Sequence, residues 1–117
     1  MLNLQQTVAH GATQLGVPRR FLAVGNRIAT QRYGLQWGEL DYLSRISDLH
    51  VPILLFHGDA DALVPVSLSD SFAAALPELV TYIRVPEAGH VRSWNVDQEG
   101  YELAVSAFVE RLERERE

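Results

Sequence analysis

Two stretches constrain this chain more than any others. One is an unbroken apolar run emptying into an acidic turn, Ile53-Leu54-Leu55-Phe56-His57-Gly58-Asp59-Ala60-Asp61; the other runs from Val80 to Val85 and ends in Pro86-Glu87-Ala88-Gly89-His90. Ile53 to Phe56, bounded by Pro52 and Gly58, has the character of a strand covered on both faces inside a parallel sheet. Val80 to Val85 mixes Thr81 and Arg84 with apolar residues and predicts a less deeply buried strand. Between them Ser67-Leu68-Ser69-Asp70 matches a capping box, opening a helix through Phe72, Ala73 and Leu76 that Pro77 closes. Strand, helix and strand within about 33 residues make a βαβ unit, whose crossover is nearly always right-handed. If the strands are adjacent and parallel, Asp61 and His90 project from one carboxyl edge, where open α/β sheets place their ligands.

The first fifty residues predict helices only. Leu4, Val8, Ala12 and Leu15 step along one face of a helix spanning residues 2–15, and Gly16-Val17-Pro18 breaks it. Pro18 suits a first helical position, with Phe21, Val24, Ile28 and Ala29 as the next stripe and Gly34 as the stop. A third, shorter helix is expected through Trp37, Leu40, Leu43 and Ile46. After His90 a polar loop carries Trp94, and Asn95 or Asp97 caps a last helix with Val105, Phe108, Val109 and Leu112 on one face. Glu110 and Arg114 fall four apart in the favourable order. The fold class is therefore α/β, in one domain of 117 residues: a helical segment over 1–50 and a βαβα segment over 51–117.

Composition narrows the function classes. Apolar residues at 47% and charged residues at 21% are a globular balance. The formal charge of −5 and the lack of a clustered basic run argue against nucleic acid. Cysteine is absent, which removes disulfides, thiolate nucleophiles and Cys-based zinc sites. The start of the chain has no basic region ahead of an apolar stretch, and no segment has bilayer-spanning length, so a cytoplasmic protein without a membrane partner is expected.

General acid–base chemistry needs a histidine held in one tautomer by a carboxylate, so that its other nitrogen can take a proton from a hydroxyl. Asp61 and His90 have the types and order for that. The stretch His57-Gly58-Asp59-Ala60-Asp61-Ala62-Leu63-Val64-Pro65, with His90 following in Gly89-His90, resembles the acid and histidine loops of the α/β-hydrolase fold, in particular the prolyl-oligopeptidase-like peptidases and esterases. The likeness is specific from Val51 to about Leu112, while residues 2–49 are similar to the cap helices that many members insert before their penultimate strand. The resemblance implies Asp61, three residues after the glycine of His-Gly, as triad acid and His90 as base, with an ester or an amide, as in a peptide, as substrate.

The nucleophile elbow, Gly-x-Ser-x-Gly, precedes acid and histidine in that family. Ser44, Ser47, Ser67, Ser69, Ser71, Ser93 and Ser106 all lack that pattern. The chain thus resembles the C-terminal portion of a hydrolase, expected to be inactive alone and completed by a complementary segment. The alternative is a non-catalytic remnant serving as an oligomerising module. A homodimer is expected in which the Ile53–Phe56 edge, short of its upstream neighbour, pairs with its symmetry mate.

Other polar residues carry blander expectations. Asp59 is read as a turn former, His57 as a hydrogen-bonded core histidine, and His10 and His50 as surface or packing residues. His57, Asp59, Asp61 and His90 are ligand types that zinc or iron accept, but their spacing is not that of a helical metal motif, and Asp59-Ala60-Asp61 lacks the Gly and distal Glu of a calcium loop. No metal or cofactor is assigned. Trp37 and Trp94 are read as packing groups.

Overall fold

A computed structural model describes residues 4–36 and 42–117. It is a mixed α/β structure: α1 (Leu4–Gln14), α2 (Arg19–Tyr33), a 3-10 segment (Tyr42–Asp48), β1 (Ile53–Gly58), α3 (Val66–Ala75), β2 (Val80–Val85), the single turn α4 (Ser93–Val96) and α5 (Gln98–Arg114). β1 and β2 pair in parallel, from Ile53 opposite Val80 to Gly58 opposite Val85. Both strands therefore end at the same edge, and their following loops emerge side by side.

β1 differs from the interior strand expected. The sheet has two strands among the described residues, and Ile53 to Phe56 are half-buried, because only β2 pairs with β1. The core lies between the sheet and α3, where Leu68, Phe72, Val80, Val85 and Ala88 are buried. On α5, the ring of Tyr101 stacks on Phe56 with centroids 4.1 Å apart. The inward stripe of α5 is Tyr101, Ala104, Phe108 and Leu112, whereas Val105 and Val109 are exposed. Taking Tyr101 as the anchor rotates the helix away from the face expected. Asp97 is the cap, its Oδ1 accepting the Gly100 amide at 3.0 Å, and Glu110 lies 4.0 Å from Arg114.

The capping box does not form. α3 starts two residues earlier, with Pro65 and not Ser67 at the N-cap, so Ser67 lies inside the helix. Asp70 is thereby free to face β2: its Oδ1 accepts the Tyr82 hydroxyl at 2.9 Å, and its Oδ2 lies 3.4 Å from Arg84 Nη1. Burial and the bond to Asp70 push the Tyr82 phenol up to about 12. Because the folded value is raised, the stabilisation is fully present below the ordinary phenol pKa of about 10 and is lost as pH rises through the folded value. Asp70→Ala is expected to move the Tyr82 midpoint downward, measured on the ring carbons by NMR; an unchanged midpoint would show that burial alone sets it.

In the N-terminal half, Pro18 occupies the N-cap with ψ 140° rather than the first helical position. α2 ends as expected at Gly34, whose φ of 65° suits glycine; the Gly34 and Leu35 amides reach back to Thr30 and Ala29 at 3.1 and 3.4 Å. The third helix is a 3-10 segment, with Arg45 off helical geometry, and Trp37 and Leu40 of the expected stripe lie outside the described residues. Neither α1 nor α2 buries a residue; Phe21, Val24 and Ile28 along α2 are each more than half exposed. The outline is accordingly long, with a radius of gyration of 17.0 Å against about 13 Å for a compact domain of this length. Among the described residues no helix is long and apolar enough to cross a membrane.

Candidate active site

The β1–α3 and β2–α4 loops are held together before any side-chain chemistry is considered. Gly58 closes β1 directly against Ala88: a Cβ at this position would fall on the Ala88 carbonyl oxygen and within 2.8 Å of the Ala88 side chain. The amides of Asp59 and Ala60 donate to the carbonyls of Val85 and Ala88, each at 3.1 Å. Asp59 does more than form a turn, because its Oδ1 accepts the Glu87 amide at 2.7 Å, across the two loops. Glu87 and Val91, on either side of His90, have φ of 60° and 56°, a conformation uncommon for residues with side chains. Asp59 thus pins one strained position beside the histidine.

Asp61 and His90 meet. His90 Nδ1 donates to Asp61 Oδ2 at 2.9 Å, while Asp61 Oδ1 accepts the amides of Leu63 and Val64 at 2.8 and 2.9 Å. The Asp61 side chain is 4% exposed and that of His90 43%, so a buried carboxylate holds an accessible imidazole. Burial by itself would raise the Asp61 pKa. The Val64 amide, His90 and the Leu63 amide outweigh it and hold the carboxyl below its ordinary value. With its Nδ1 hydrogen on Asp61, His90 keeps its lone pair on Nε2, the arrangement a general base requires. A cleft of about 450 Å³ lies beside the pair, with Leu55, Phe56, Val91 and Ser93 among its walls.

Two residues belong to the site that sequence reasoning did not put there. His57 is buried as expected, yet its Nε2 donates to the Val64 carbonyl at 3.1 Å and lies 3.3 Å from Asp61 Oδ2, and its Nδ1 is 2.5 Å from Ser69 Oγ. The four-residue step from His57 to Asp61 was the available signal; nothing local marks Ser69, which arrives by the packing of α3. Among the described residues no group of three or more acidic or histidine side chains could hold a metal ion. Trp94 is half-exposed and donates from Nε1 to Glu102 at 3.1 Å, so it does not pack as expected; His50 is exposed.

No family model and no solved structure matches the chain. Two curated proteins of Mycobacterium tuberculosis, from strains CDC 1551 and H37Rv and both described as uncharacterized, are each 40% identical to it over 48 residues. That stretch is 41% of this chain and 17% of either relative, so the match spans about a sixth of their length.

Proposed function

We propose that residues 51–117 are the acid-and-histidine end of a serine hydrolase of the α/β-hydrolase fold, acting on ester or amide bonds. The observation that carries the reading is the 2.9 Å bond from His90 Nδ1 to a buried Asp61, made between loops that leave the same edge of a parallel sheet. In this reading the nucleophilic serine comes from a complementary segment outside this chain. His90 Nε2 takes the serine proton as the hydroxyl attacks the carbonyl, then returns it to the leaving group, and Asp61 stabilises the imidazolium between the two steps. The chain alone is expected to be inactive, because it offers neither an elbow serine nor oxyanion donors built around one. The test is incubation with a fluorophosphonate probe and a p-nitrophenyl ester. No serine labelling and at most a slow turnover abolished by His90→Ala are expected; labelling of a serine within this chain would contradict the reading.

The second reading, a non-catalytic association module, is favoured by the outer edge of β1, which pairs with no strand among the described residues, and the exposed Phe21, Val24 and Ile28 of α2. It expects a species of at least twice the monomer mass in a light-scattering concentration series. A monomer at every concentration would remove the homodimer.

A further inference from the structure

We propose that His57, braced by Ser69, is a positioning residue for the Asp61–His90 pair; the inference rests on Asp61 and His90 being acid and base. The two amides that hold Asp61 Oδ1 belong to Leu63 and Val64, on the same loop, so they move with the carboxylate they fix. His57 instead stands on β1, and the contact of its Nε2 with Asp61 Oδ2 at 3.3 Å references the acid to the sheet. The same nitrogen donates to the Val64 carbonyl at 3.1 Å, which docks the far end of that loop onto the strand.

The tautomer follows from the partners. The Val64 carbonyl and the Asp61 carboxylate can only accept, so His57 Nε2 carries the hydrogen, and Nδ1 accepts from the Ser69 hydroxyl. His57 is 8% exposed and Ser69 3%, so the polar contacts of the ring are made mainly within the protein and favour one orientation. Asp61 Oδ2 is thereby approached from the buried side by His57 and from the open side by His90, and its position fixes where His90 Nδ1 must point. Fixing an acid through a buried neighbour is how supporting residues usually sharpen a site.

The experiment reads the two nitrogens of His90 by NMR on the 15N-histidine-labelled chain, in wild type, His57→Leu, His57→Gln, Ser69→Ala and Asp61→Asn. The ratio of Nδ1–H to Nε2–H at His90 is expected to fall by about threefold in His57→Leu, the effect of one weak polar contact. His57→Gln, whose amide can donate where Nε2 did, is expected to restore it. An unchanged ratio in His57→Leu alongside a changed one in Asp61→Asn overturns the role of His57 and leaves the acid–base pair standing. An unchanged ratio in Asp61→Asn overturns the pair itself. Equal shifts in the Leu and Gln variants show a packing role only and also overturn the proposal. If His57→Leu does not fold, Ser69→Ala decides: a smaller shift in the same direction supports the brace, and no shift overturns it.

Discussion

Asp61→Ala is expected to destabilise the chain by about 3 kcal/mol, read as a lowered denaturant midpoint, since removing one side of a buried hydrogen-bonded group strands its partners. Those partners are the Leu63 and Val64 amides, His90 Nδ1 and the nearby His57 Nε2, around a side chain only 4% exposed. The loss should depend on pH in a definite direction. Because the folded Asp61 pKa is depressed, its contribution is fully present above the unfolded value of about 3.9 and disappears as pH falls through the folded one. Wild type and variant should therefore converge in stability on acidification below that window. A constant difference down to strong acid would mean that the variant's cost is cavity formation and not loss of a charged acceptor.

Gly58→Ala is expected to cost about 3 kcal/mol, the upper range for overpacking a site that cannot relax. The new methyl would meet the backbone of Ala88, which is fully buried, and backbone cannot swing aside as a flexible side chain would. Relief requires the two strand ends to separate, and that separation also stretches the bonds from Asp59 to Glu87 and from Asp61 to His90. Destabilisation and loss of the His90 hydrogen bond should thus appear together in one variant. A stable Gly58→Ala chain with its Asp61–His90 bond intact would show that the strands have slack at their ends.

What could be read from the sequence was whatever depends on local pattern or on the order of loops. Period and punctuation marked α1, α2, both strands and α5, because Gly34, Pro52, Pro77 and Asp97 each act within their own turn. The βαβ order then sufficed to bring Asp61 and His90 to one edge. Features set by how elements pack were not legible. The rotation of α5 follows from Tyr101 stacking on Phe56, a contact between residues 45 apart. Ser67 and Asp70 had capping-box spacing, yet Pro65 fixed the helix start and released Asp70 to Tyr82. The stripe of α2 was right in period, but Phe21, Val24 and Ile28 face outward, since periodicity says which residues share a face and not what covers it. His57 and Ser69 were missed for the same reason: their meeting is made by the docking of α3 on β1.

The central claim is that Asp61 holds His90 with its hydrogen on Nδ1, leaving Nε2 as the basic nitrogen. It is tested most directly by the nitrogen shifts of His90 in the wild-type chain. The Nδ1–H tautomer is expected to dominate, with its hydrogen slowed in exchange by the bond to Asp61, and to lose that dominance in Asp61→Asn. A His90 with its hydrogen mainly on Nε2 in wild type, unaltered by Asp61→Asn, would contradict the claim.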